Sequence, residues 1–160
     1  MNKKTVRYIT LVLLILWMGV IFFFSSQRAE ISDNTSGGVV EKLIALIYSD
    51  YYSLDIAVKQ IIIDVFTAPV RTAAHFSEFF VLGVLFYMFY NTFEGFLSKH
   101  RAIITAASGL LYAISDEIHQ LFVPKRACQI LDVVIDFCGV LLSLLICKFV
   151  MILWRAKKVG

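Results

Sequence analysis

The chain has 160 residues and a formal net charge of +3; 59% of it is hydrophobic and only 17% charged. Soluble domains carry about a quarter charged residues, so this composition excludes an ordinary globular protein and points to a small integral membrane protein. The bases are too scattered for a nucleic-acid-binding stripe, which excludes that class of partner.

A hydrocarbon core of about 30 Å takes about 20 mostly apolar helical residues. The first such stretch is "YITLVLLILWMGVIFFF", residues 8–24, preceded by Lys3, Lys4 and Arg7. A signal peptide has a similar basic start, but "SSQRAE" offers no small-x-small cleavage site, so the segment reads as a retained span. Ser25, Ser26 and Gln27 end it. Residues 25–71 then form a long loop with four bases (Arg28, Lys42, Lys59, Arg71) against six acids (Glu30, Asp33, Glu41, Asp50, Asp55, Asp64). Two helix-period apolar faces predict amphipathic helices there, one on Val39, Leu43 and Ile47, the other on Leu54, Val58, Ile61 and Val65. Gly37-Gly38 and Pro69 are expected to punctuate them. Tyr48, Tyr51 and Tyr52 suit an interfacial belt. These helices would lie on the membrane surface or cap the spans.

Three more spans are expected at about 72–93, 102–122 and 131–154, with Pro124 closing the third. Lys99 and Arg101 lie between the second and third, and Arg155, Lys157 and Lys158 follow the fourth. The positive-inside rule puts both termini in the cytoplasm and the 25–71 loop outside. The expected fold is therefore a single all-α domain over 1–160, an integral membrane four-helix bundle with amphipathic helices in its first extracellular loop. Cys128, Cys138 and Cys147 are odd in number and read as small apolar fillers, not a disulfide framework.

Residues three and four apart share a helix face. Arg71, His75 and Glu78 thus form one stripe at the start of the second span. In the third, Ala102, Ala106, Gly109 and Ala113 mark the side of close helix approach. That seam leads to Asp116, with Glu117, His119 and Gln120 around it. In the fourth, Asp132, Asp136, Gly139 and Ser143 repeat the small-and-polar rhythm. With Arg126 in the loop between, four helices deliver polar groups to one depth. Charge within a span costs about 2.5–3.5 kcal/mol at the helix centre, so these groups must meet partners. They either fasten the helices or form a pocket, and intramembrane ionisable groups favour the pocket.

"FFFSSQ" (22–27), "RTAAHFSEFFVLGVLF" (71–86) and "LYAISDEIHQLFVPKRACQILDVVIDFCGVLLS" (111–143) resemble the VanZ-like family of small bacterial membrane proteins. The third block, D-E-x-H-Q-x-F-x-P-x-R followed by D-x-x-x-D-x-x-G, is the most specific. Phe79 stands where a tyrosine is common. The resemblance implies a bacterial cell-membrane location and a cell-envelope role linked to teicoplanin resistance. It assigns no catalytic residue.

The binding set expected from these readings is Ser26, Gln27, Arg71, His75, Glu78, Asp116, Glu117, His119, Gln120, Arg126, Asp132 and Asp136. Its partners would be membrane lipids, a lipid-linked cell-wall precursor or the lipoglycopeptide itself. An enzyme acting on a lipid-linked phosphate or glycan is the alternative, with Glu78, Asp116, Glu117, His119 and Asp136 as its candidates. A transporter fits less well, since no inverted repeat is present. No cofactor is expected. No metal is assigned either, because Asp116-Glu117-x-His119 is not H-E-x-x-H and His75-x-x-Glu78 alone is weak. Oligomeric state is not defined by the sequence.

Overall fold

The computed structural model describes residues 2–159, apart from the side chains at positions 155, 158 and 159. Arg155 and Lys158 of the expected basic flank therefore lie outside the described side chains. The described residues are all-helical, without strands. In chain order the helices are α1 (Lys3–Ser25), α2 (Ala29–Ile47), α3 (Ile56–Asn91), α4 (Phe96–Lys99), α5 (Arg101–Gln120) and α6 (Ile130–Val159), with a 3-10 turn at Tyr51–Ser53 between α2 and α3.

Three of these are long and apolar enough to cross a membrane: Lys3–Ser25, Ile56–Asn91 and Ile130–Trp154, with mean hydropathies of 2.4, 1.4 and 2.5. Helix α5 is not among them, although a fourth span was expected at 102–122. Its small residues and the charges Arg101, Asp116 and Glu117 dilute its hydropathy. It is strongly two-faced instead. Thr105, Gly109, Ala113, Asp116 and Gln120 are buried, while Ile103, Leu111, Ile114 and Ile118 point outward.

One correction concerns the start of α3. Most of the amphipathic segment at 54–65 and of the expected span at 72–93 lie in one continuous helix, Ile56–Asn91, of 36 residues. Pro69 lies inside it and does not break it. A proline removes one backbone donor, and helices in apolar settings tolerate that loss when neighbours support them. At 1.5 Å per residue α3 runs about 54 Å, well beyond an apolar core of about 30 Å. Helix α2 packs alongside the excess length. Gly37 is a contact residue there and not a helix end: a Cβ on it would sit 3.1 Å from Ile63 Cγ2. The face of α2 that packs is Ser36, Gly37 and Val40, so Leu43, Leu46 and Ile47 stay exposed. Tyr51, expected in an interfacial belt, is fully buried, while Tyr48 and Tyr52 are exposed.

Helix α3 is the hub. Its most extensive contact is with α6, and α1, α2 and α5 also pack on it. The apolar core joins Leu14 and Ile21 of α1, Phe79, Leu82 and Phe86 of α3, Ala113 of α5 and Val140 of α6. The α3–α6 crossing is set by glycine. A Cβ on Gly139 would meet the Phe76 carbonyl oxygen at 2.4 Å, and one on Gly83 would meet Ser143 Oγ at 2.1 Å. Small residues let the backbones approach this closely. One turn from Gly139, the same approach brings Asp136 up to α3. Outside the core, α1 and α6 expose large apolar side chains along their length, among them Leu16, Phe23, Leu145 and Phe149. Such a continuous apolar perimeter matches a hydrocarbon solvent.

The two ends of the helices differ. At one end Lys3 pairs with Glu94 at 2.8 Å, and Arg7 donates to the Thr92 carbonyl at 2.9 Å while covering the Phe93 ring. The Lys3 contact holds the exposed Glu94 carboxyl below its ordinary pKa. The other end gathers most of the remaining acids.

Candidate functional site

The polar end is built from the C-termini of α1 and α5, the middle of α3, the start of α6 and the turn at 121–129. A cavity of about 370 Å³ opens among them. Seven of the twelve expected residues line it: Arg71, His75, Glu117, Gln120, Arg126, Asp132 and Asp136. A second cavity of about 240 Å³ lies on the other side of Arg71 and His75 and is lined by Gln27 and Glu78 as well. Arg71 and His75 thus form a shared wall.

Asp116 is buried just behind, 3% exposed. Its Oδ2 accepts from Ser25 Oγ at 2.7 Å and from Gln120 Nε2 at 3.1 Å. Helical spacing explains the second bond, since residues 116 and 120 share a face. Glu117, 2% exposed, accepts through Oε2 from the Gln129 backbone N–H at 2.9 Å, which pins the 121–129 turn to α5. That turn carries Arg126, and at Lys125 its backbone is left-handed, with φ 64°. Arg126 donates from Nε to the Gln27 carbonyl at 3.2 Å and from one terminal nitrogen to Gln120 Oε1 at 3.3 Å. Its other terminal nitrogen is buried without a partner. Burial, and next the nearby Arg71 charge, lower Arg126 from its ordinary pKa, while Asp116, Asp33 and Glu117 oppose them.

At this site two buried carboxylate oxygens also have no hydrogen-bond partner, Glu78 Oε2 and Asp136 Oδ1. Glu78 Oε2 lies 3.7 Å from His75 Nδ1. The Glu78 backbone carbonyl accepts from Trp17 Nε1 at 2.9 Å, tying α1 to α3 at this level. Trp17 is therefore a packing residue.

Two expected residues are placed elsewhere. His119 is half-exposed, packs its ring against Phe22 with centroids 4.4 Å apart, and lies 3.1 Å from Ser26 Oγ. Both lie at the C-terminal end of α1, outside the linings of the two cavities. Three residues on from Asp116 is about 300° of helix, enough to turn His119 off the cavity side.

The sequence reading also passed over residues that hold the site together. Asp33 of α2 accepts from Arg71 at 2.6 Å, Glu30 pairs with Lys125, and Ala29 lines the larger cavity. The start of α2 is thus a lid over the polar end. Glu30 and Asp33 stand three apart on one helical face, which was a usable signal. It was hidden because the helix was expected to begin only after Gly37-Gly38. Ser25, noted only as the end of α1, is the residue that orients Asp116. Local spacing assigned no metal, yet the fold brings His75, Asp116 and Asp136 together from three helices, one potential ligand atom of each within 4.8 Å of the others.

The VanZ/LLP1 family model matches residues 10–153. The chain belongs to the VanZ/LLP1 family. The match runs from α1 through α6, so every candidate site residue named above falls within it, as does the α2 lid. The resemblance read from the sequence is thereby established over nearly the whole chain. No curated protein and no solved structure matches the chain.

Proposed function

We propose that this chain is a multi-pass protein of the bacterial cell envelope whose polar cavity opens to the outer face. It binds the phosphate of an envelope lipid or lipid-linked cell-wall precursor and thereby lowers susceptibility to teicoplanin-type glycopeptides. The observation that carries the reading is Arg126: a guanidinium with one terminal nitrogen buried and unpartnered, beside Arg71 on the wall of a cavity of about 370 Å³. An anion is the ligand that uses such a donor, and arginine's fork suits phosphate. Membership of the VanZ/LLP1 family supports the envelope role and the link to teicoplanin.

In this reading α5 crosses the membrane with α1, α3 and α6. Its outward face, Ile103, Leu111, Ile114 and Ile118, meets lipid, and its polar face is sheltered by α3 and α6. The bases Lys3, Lys4, Arg7, Lys99 and Arg101 gather at the end away from the cavity, which the positive-inside rule assigns to the cytoplasm.

Expressed in a teicoplanin-sensitive host, the wild-type chain is expected to raise the minimal inhibitory concentration. Arg126→Gln and Glu78→Gln are each expected to return it to the empty-vector level while membrane-fraction immunoblots stay unchanged. Full protection by both variants would exclude the reading.

A further inference from the structure

Asp116 and Asp136 approach each other from α5 and α6 in a buried setting, 3% and 1% exposed. Two ionised carboxylates at such a distance repel, and neither is stable there without a compensating positive charge. Arg126 does not supply a direct contact, since the partners of its bonded nitrogens are Gln120 and the Gln27 carbonyl. Asp116 Oδ2 is oriented by Ser25 and Gln120. Asp136 is different: its Oδ1 is fully buried, has no hydrogen-bond partner, and belongs to the wall of the larger cavity with His75. One potential donor atom each from His75, Asp116 and Asp136 lies within 4.8 Å of the other two.

We propose that His75, Asp116 and Asp136 bind one divalent transition-metal cation at the buried wall of the cavity. One imidazole and two carboxylates are a nitrogen-and-oxygen set suited to Zn²⁺ or Mn²⁺. The donors come from three helices held by the Gly139 crossing and the shared core, so the site is formed by packing and not by local spacing. Ser25 and Gln120 act as outer-shell partners that fix Asp116, the arrangement that tunes ligand orientation in metal sites. Glu78 Oε2, 3.7 Å from His75 Nδ1, adds a third carboxylate beside the imidazole. Three protein ligands leave coordination positions free toward the cavity. Resting on the functional reading above, this deepens it: a phosphate oxygen would complete the metal's coordination while Arg71 and Arg126 hold the remaining oxygens.

The test is metal binding by the full chain in detergent, independent of any antibiotic. Protein stripped with a chelator is reloaded with Zn²⁺ or Mn²⁺, passed through gel filtration and analysed for metal. One equivalent per chain and a raised thermal midpoint on reloading are expected, because a ligand that binds only the folded state stabilises it. Asp136→Asn is expected to weaken binding by about 100-fold or more, beyond the loss typical of an outer-shell partner. Asp50→Asn, in the exposed turn before α3, should bind as wild type does. His75→Gln provides a second ligand variant should Asp136→Asn elute as aggregate. Co²⁺ substitution reads the same site optically, through absorption bands that shift when His75 is replaced.

Absence of bound metal and of any thermal shift in wild type would overturn the proposal, as would unchanged affinity in either ligand variant. Stoichiometric metal without teicoplanin protection would support the cation site and count against the functional reading alone. Protection by a chain that binds no metal would do the reverse.

Discussion

Gly139→Ala is expected to destabilise the protein by about 3 kcal/mol, at the upper end of what an overpacked core methyl costs. The added carbon would stand 2.4 Å from the Phe76 carbonyl oxygen and 3.0 Å from the Phe80 nitrogen. Both are backbone atoms of α3, so no side chain can rotate away and the two helices must separate. Gly38→Ala is the matched control. Its Cβ would meet nothing within 4 Å, and alanine in a helix gains roughly 0.5–1 kcal/mol over glycine. Thermal unfolding in detergent should therefore show Gly139→Ala lowered by roughly 6–12 °C and Gly38→Ala unchanged or raised. Equal midpoints would mean that α3 and α6 do not cross at Gly139. The consequence reaches the site, because the same crossing holds Asp136 against His75. Under the proposed function, Gly139→Ala should also weaken teicoplanin protection even where the chain still inserts.

Glu117→Ala is expected to cost about 1.5–3 kcal/mol, the range for a lost hydrogen bond to a charged group. Glu117 is buried, and its Oε2 accepts the Gln129 N–H at 2.9 Å, the tie between α5 and the turn that carries Arg126. Alanine leaves that donor without its partner and frees the turn. Glu117→Gln keeps a carbonyl acceptor at nearly the same place and should recover most of the stability. Protease sensitivity at 121–129, read by mass spectrometry, should rise in Glu117→Ala and remain near wild type in Glu117→Gln. Identical behaviour of the two variants would remove Glu117 from the role of turn anchor.

Much of this arrangement was legible in the sequence because helical spacing carries it. Asp116 follows the seam of Gly109 and Ala113 at the same three-to-four rhythm, so its burial came with the pattern. Arg71, His75 and Glu78 were likewise one stripe, and the structure keeps them on one side of α3. What spacing could not give was the pairing between helices. Asp33 meets Arg71 across 38 positions, and its three-residue spacing from Glu30 marks a helical face without naming the partner. The joining of 54–65 to 72–93 was obscured by Pro69, a residue that usually ends helices in water but is tolerated where neighbouring helices support the backbone. His119 shows the limit in the opposite direction. It sits among site residues in sequence, yet the helix rotates it toward Phe22 and Ser26.

The proposed outward exposure of the cavity can be read at the turn 121–129, where Cys128 is exposed beside the cavity-lining Ala127. The most direct measurement labels Cys128 with a membrane-impermeant maleimide in intact cells, with Cys138 and Cys147 replaced by alanine. A second chain carries only Lys99→Cys at the opposite end. An outward-facing cavity predicts that Cys128 reacts in intact cells and that the cysteine at 99 reacts only after the membrane is opened. Cys128 labelled solely after permeabilisation would place the cavity on the cytoplasmic side and contradict it.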